Sequence, residues 1–199
     1  DSLTRFDPWS QTLITEILEP GDTVVDLTAG QGRDTLVLAL AVGLTGRVVA
    51  FDVQKSALEQ AARTLRVAGF PVTDWKLGAD VPPAPGIYLV HACHTTLAAF
   101  VTTPIRAAIA NLGYLADGES ELSTHPVTTC RALRAALDLL VPGGRLAVTV
   151  YPGHPGGDAE AAAVDDLLTG LPCEQWHVLR LSVANVTGAP YLLLAERKF

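Results

Sequence analysis

Methionine is absent from all 199 residues, position 1 included, and cysteine occurs only three times, at Cys93, Cys130 and Cys173. The missing initiator predicts that the chain was trimmed or once had residues before Asp1. Three widely spaced cysteines without a CxxC pair exclude a disulfide framework and a cysteine-rich zinc site. With no basic, apolar, small-residue signal pattern at the start, they favour a reducing cytoplasm. Basic residues are outnumbered, 14 Lys and Arg against 21 Asp and Glu, for a formal charge of -7 and a pI near 5.1. Bulk attraction to nucleic acid is thereby excluded, although a local basic patch is not. Long apolar runs are missing too. Leu36 to Val42 and Leu146 to Tyr151 are interrupted by Gly, Pro or charge well before the roughly 20 residues that a membrane helix needs, which predicts a soluble chain with no membrane partner.

What is present points to a well-buried fold. Hydrophobic residues make up 49% and charged residues 18%, and the mean hydropathy is +0.30, too apolar for a disordered chain. The length suits one domain over residues 1–199. Apolar residues at helical spacing (Trp9, Leu13, Ile14, Ile17, Leu18) predict an opening helix, with Asp7 as cap, Pro8 at its first position and Pro20-Gly21 as its stop. The period then shortens. Strands are expected at 23–27 and 47–51 and helices at 32–42 and 56–68, the latter capped by Ser56. Residues 71–86, with Pro82, Pro83 and Pro85, read as irregular. Strands follow at 87–90, 105–110 and 145–151, a short helix or turn at 95–101, and helices at 128–140, ended by Pro142-Gly143-Gly144, and at 158–168. Residues 176–182 and 191–196 read as an antiparallel pair. Strands alternating with helices imply an α/β fold with a mainly parallel sheet and helices on both faces.

The most informative segment is Asp26-Leu27-Thr28-Ala29-Gly30-Gln31-Gly32-Arg33-Asp34-Thr35, between the first strand and its helix. Gly30 and Gly32 let the backbone turn sharply, and the helix start offers free N–H groups. A dinucleotide fingerprint would need a third glycine where Thr35 stands. An acid before the turn, Asp26, suits a ligand with a cationic amino group, and S-adenosylmethionine carries an ammonium and a sulfonium; the bland alternative is an ordinary strand-to-helix turn. Asp52, ending the second strand, can accept hydrogen bonds from both hydroxyls of a ribose or stand as a solvated strand-end acid, with Gln54 able to add an amide contact. Asn111, where a strand ends, can orient an amine lone pair toward a methyl donor or merely make a turn, and Tyr114 beside it can pack. The loop Tyr151-Pro152-Gly153-His154-Pro155-Gly156-Gly157 is too rich in Gly and Pro for a helix. His154 there can take a proton, orient substrate or hold the loop. His91 and His94 lack a third ligand at suitable spacing, so no metal is expected. Arg131 and Arg134, three apart on one helix face, suit a phosphate or a solvated surface.

With these residues in place, the sequence resembles the bacterial rRNA methylase family, whose members include the MnmM-type tRNA wobble-uridine methyltransferases. The matching blocks are DLTAGQGRDTLVLA, FDVQKSAL, NLGYL with THPVTT, YPGHPGG with Glu160 after it, and NVTGAPYLLLAERK. The chain departs from the family's usual wording at Gln31 and Arg33 and over Ala116 to Ser120, where the family has a lysine. The resemblance implies a Rossmann-like, class I methyltransferase that uses S-adenosylmethionine and methylates the 5-aminomethyl group of a wobble 2-thiouridine. It implies cofactor contacts from Asp26, Thr28, Gly30, Gly32, Asp34, Thr35, Asp52, Gln54, His94 and Asn111, and catalytic roles for Asn111, His154, Tyr151 and Tyr114. The implied partner is a tRNA anticodon stem-loop, and a homodimer is compatible with it. A methyltransferase for rRNA or a small metabolite is the alternative, the metabolite favoured by the acidic charge.

Overall fold

The computed structural model describes residues 2–79, 85–113, 124–153 and 156–199. A 3-10 turn at Ser2–Thr4 leads into α1 (Asp7–Thr15), β1 (Thr23–Asp26), α2 (Arg33–Val42), β2 (Arg47–Asp52), α3 (Lys55–Val67), β3 (Val72–Asp74) and β4 (Gly86–His91). After a second 3-10 turn at His94–Thr96 come α4 (Leu97–Phe100), β5 (Ile105–Leu112), α5 (Pro126–Leu139), β6 (Leu140–Val150), α6 (Gly157–Thr169), β7 (Trp176–Ser182) and β8 (Tyr191–Arg197). The strands join in the order β3-β4-β2-β1-β5-β6-β8-β7. Pairings are parallel from β3 to β6, and β8 runs antiparallel to both β6 and β7. This is the mainly parallel sheet with an antiparallel C-terminal pair expected from the sequence.

Successive strand residues point to opposite faces, and both faces are covered. Val24 and Val48 pack with Ile14, Leu38 and Leu65 from α1, α2 and α3. Val25 and Val49 pack with Leu97, Leu133 and Val164 from α4, α5 and α6. Burial on both sides is why these strands read as continuous apolar runs instead of alternating ones. The chain leaves central β1 toward β2 on one side and later returns to β5 on the other, so the strand order reverses between β1 and β5, whose ends are where such sheets take ligands.

Several local expectations are corrected. The cap of α1 is Phe6, and Asp7 lies in the first turn without a capping bond. Likewise Gln54, not Ser56, precedes α3. Within the stretch expected to be irregular, Val72–Asp74 pairs with Ile87–Leu89 because Trp75 beside it is buried against Tyr88 and Phe100. Pro142-Gly143-Gly144 does not simply end a helix; it lies within β6, where the pairing with β5 shifts register between Ile105 and Ala107. His125 caps α5 by accepting a hydrogen bond from the Val127 N–H. Pro82 and Pro83 lie outside the described residues. Among the described residues no helix is long and apolar enough to cross a membrane.

Candidate functional site

The turn after β1 is held by its own acids. Asp26 has no exposed surface; its Oδ1 accepts the Thr28 N–H at 3.0 Å and its Oδ2 the Thr35 hydroxyl at 2.6 Å. Burial, then the Asp34 carboxylate, pushes Asp26 up to about 7 against those two hydrogen bonds. With both oxygens engaged and none exposed, Asp26 braces the turn from beneath. Gly32 closes the turn at φ +80, and a Cβ there would lie 2.7 Å from the Ala61 Cα, so α3 packs onto bare backbone. Among the described residues no side chain caps α2 behind it, which leaves first-turn N–H groups for an anion. The half-buried Asp52 carboxylate accepts the Gly30 N–H at 2.9 Å and the Gln54 N–H at 2.8 Å. Each of its oxygens has a further lone pair to offer.

Asn111 is the second node. Its backbone N–H donates to the Thr28 hydroxyl at 2.7 Å, and its Nδ2 donates to Asp34 Oδ2 at 2.7 Å. The other oxygen of Asp34 accepts from Gln11 Nε2 at 2.7 Å; burial raises the Asp34 pKa, opposed by these two bonds. A carboxylate can only accept, so Asn111 turns its nitrogen to Asp34 and its Oδ1 the other way. There it meets the Tyr151 hydroxyl at 3.4 Å, while that hydroxyl also donates to Asp7 Oδ1 at 3.1 Å. Burial, then Asp7, raises the Tyr151 pKa, so the phenol keeps its proton.

α1 brings Asp7 and Gln11 into this site because its far end is tied down. Arg145 reaches the Leu13 carbonyl and Glu16, Arg106 reaches the Ile17 carbonyl, and Ile14 is fully buried. On the opposite face His94 donates from Nδ1 to the Leu27 carbonyl at 3.3 Å. Among the described residues its buried Nε2 has no hydrogen-bond partner, and burial lowers its pKa, which favours the neutral ring. His91 contacts the Val53 carbonyl through Nε2. Asp26, Thr28, Gly30, Gly32, Asp34, Thr35, Asp52, Gln54, His94, Asn111 and Tyr151 thus gather around the ends of β1, β2, β4, β5 and β6. Tyr114 and His154 lie outside the described residues, as do Ala116 to Ser120.

The family model described as "Putative rRNA methylase" matches residues 48–196. The chain belongs to the rRNA methylase family. A chloroplastic tRNA (mnm(5)s(2)U34)-methyltransferase of Arabidopsis thaliana is 35% identical over 190 residues, 92% of this chain and 66% of the relative, so the chain spans just under two thirds of that curated protein. The crystal structure of a "putative rRNA-methylase" from Clostridium thermocellum superposes with a TM-score of 0.85 at 32% identity, covering 96% of both chains. A "putative methyltransferase" from Streptococcus mutans, solved in complex with SAH, gives 0.80 at 30% identity over 97% of this chain and 98% of that one. The rRNA methylase fold here is therefore the Rossmann-like one expected.

In this rRNA methylase family member Asp7 reads from the sequence only as a helix cap and Gln11 carries no reading, and only packing of α1 against β5 and β6 brings Asp7 to Tyr151 and Gln11 to Asp34. Glu160 is 2% exposed and accepts the Thr124 and Thr129 hydroxyls, both at 2.6 Å, which pins the segment before α5 to α6. Its place after YPGHPGG was the available hint.

Proposed function

We propose that residues 1–199 act as one S-adenosylmethionine-dependent methyltransferase domain that methylates the 5-aminomethyl group of 2-thiouridine at the wobble position of a tRNA anticodon stem-loop, in the cytoplasm. Asn111 carries this reading. Its Nδ2 is committed to Asp34, so its Oδ1 is presented beside Tyr151 as an acceptor for an amine N–H at the ligand-binding end of the sheet. Family membership supports methyl transfer, and the substrate of the Arabidopsis relative supports the tRNA.

The residues fit the cofactor. Asp52 offers paired lone pairs for two ribose hydroxyls, and the uncapped start of α2, with Gly30 and Gly32 ahead of it, suits the amino-acid end. The Nε2 of His94, without a partner among the described residues, is a buried acceptor that a ligand donor would satisfy. Thr28, Thr35 and Asp26 act through the turn's shape, Asp34 through Asn111, and Gln54 through Asp52. When bound, S-adenosylmethionine supplies an electrophilic methyl group on a cationic sulfur. Asn111 then orients the amine, and holding it in line provides most of the acceleration. Tyr151, whose phenol keeps its proton, is assigned to substrate placement, and Tyr114 and His154 to substrate placement or proton removal, a base contributing about 10²–10⁴-fold. Arg33, Arg131 and Arg134 are exposed and suit phosphate contacts despite the net charge.

The test is to incubate the protein with labelled S-adenosylmethionine and total tRNA lacking this methyl group, then digest and identify the nucleoside by mass spectrometry. Label in methylaminomethyl-2-thiouridine is expected. Unlabelled tRNA, with label appearing in rRNA or in a small molecule from extract, overturns the tRNA assignment. The small-molecule outcome is the one that the charge of -7 favours.

A further inference from the structure

We infer that Asp7, Tyr151 and Asn111 form an oxygen cage for the substrate's protonated aliphatic amine, with Asp7 as the residue that selects a cationic aminomethyl group over an unsubstituted base. The inference rests on the amine acceptor proposed above, and Asp7 lies outside the residues matched by the family model.

Three oxygens converge here: Asp7 Oδ1 and Asn111 Oδ1 lie 3.1 and 3.4 Å from the Tyr151 hydroxyl. Among them there is one hydrogen, the phenolic proton, and the shorter contact gives it to Asp7. The Asn111 amide hydrogens cannot help, because Nδ2 is turned to Asp34. Nor can Gln11, whose amide donates to the other Asp34 oxygen. Asn111 Oδ1 therefore faces a phenol oxygen with no proton between them, an arrangement short of donors. An ammonium group brings three N–H donors and a positive charge, so it matches three acceptors of which one is a carboxylate. A ring C–H at the same position brings neither.

The surroundings hold this arrangement in place. The Tyr151 ring lies against bare backbone at Gly113, where a Cβ would stand 3.5 Å from the ring. Asp7, Tyr151 and Asn111 are all half-buried, so the cage is partly desolvated yet reachable. The charged groups acting on it are Asp34, which with Asp7 favours a cation, and Arg5, whose charge acts on Tyr151; Arg33 acts on Asp34.

The experiment compares two synthetic anticodon stem-loops, identical except that one carries 5-aminomethyl-2-thiouridine and the other unsubstituted 2-thiouridine. Affinities are measured by fluorescence anisotropy for the wild type, Asp7→Asn and Tyr151→Phe, with folding of each checked by circular dichroism. The wild type should bind the aminomethyl stem-loop at least about tenfold more tightly, as expected for hydrogen bonds to a charged group. Asp7→Asn should lose most of that preference without weakening the unsubstituted stem-loop, and Tyr151→Phe should lose part of it. Equal binding of both stem-loops by the wild type overturns the cage, as does a full preference retained by both variants. If Asp7→Asn does not fold, Tyr151→Phe alone decides. Methyl transfer assayed in parallel keeps the two ideas apart: transfer by a wild type without amine preference retains the proposed function and removes the cage, whereas amine preference without transfer does the reverse.

Discussion

Replacing Gly32 by alanine tests the geometry on which the glycine turn after β1 depends, and the structure supplies both the expected cost and its control. At φ +80 an alanine would enter the left-handed region, and its Cβ would lie 2.7 Å from the Ala61 Cα and 2.9 Å from the Ala61 Cβ. Those atoms belong to the middle of α3, so they cannot swing aside as a side-chain tip would. Gly69, at φ +89 just beyond α3, has nothing within 4 Å of its hypothetical Cβ. Gly69→Ala therefore isolates the backbone penalty, about 1–2 kcal/mol for an L-residue in the left-handed region. Gly32→Ala carries that penalty and an overpacking cost of about 1–3 kcal/mol. For a chain of this size each kcal/mol moves the Tm by about 2–4 °C. The control should thus melt about 2–8 °C below the wild type, and Gly32→Ala about 4–20 °C below it. Scanning calorimetry on the three proteins in parallel decides. If Gly32→Ala melts no lower than Gly69→Ala, the close approach of α3 to the turn is wrong.

Asp52→Ala should weaken S-adenosylmethionine binding at least about tenfold, since charge-assisted hydrogen bonds to both ribose hydroxyls are lost; unchanged affinity by isothermal titration calorimetry removes that role. Asn111→Ala should lower turnover by about 10²-fold through misplaced substrate with cofactor affinity nearly intact; an equal loss in both would make Asn111 a cofactor residue alone. The pH dependence of stability follows from Asp26, whose carboxyl is raised to about 7 when folded. The folded state keeps a proton that the unfolded state has released, so Asp26 lowers stability as pH climbs from the ordinary carboxylate range to about 7, with no further change above. Urea titrations across that window should show the wild type losing stability relative to Asp26→Asn, and a difference of opposite sign refutes the buried, raised carboxyl.

Much of the architecture was legible because local sequence and buried surface agree. The β-branched runs at Val24-Val25 and Val48-Val49, each followed by a helix with a buried apolar face, dictate parallel pairing with both faces covered. The glycine turn announces itself because Gly32 adopts a conformation that other residues avoid. What failed was short or local. Val72–Asp74 is three residues long and follows a proline, so nothing in its own composition marks it as a strand; burial of Trp75 against Tyr88 and Phe100 supplies the reason. A Pro-Gly-Gly sequence stops helices in general, yet here β5 holds its neighbours in a strand across a register shift.

By itself the sequence determined the strand-helix alternation, the turn and the acids at two strand ends, because each depends on residues adjacent in the chain. Only the tertiary structure decided which of them work together. Asn111 and Asp34 are 77 residues apart, and Tyr151 and Asp7 are 144 apart. No periodicity encodes such pairs, since they exist only once packing of Ile14 and the anchoring of α1 by Arg145 and Arg106 fix where that helix lies across the sheet.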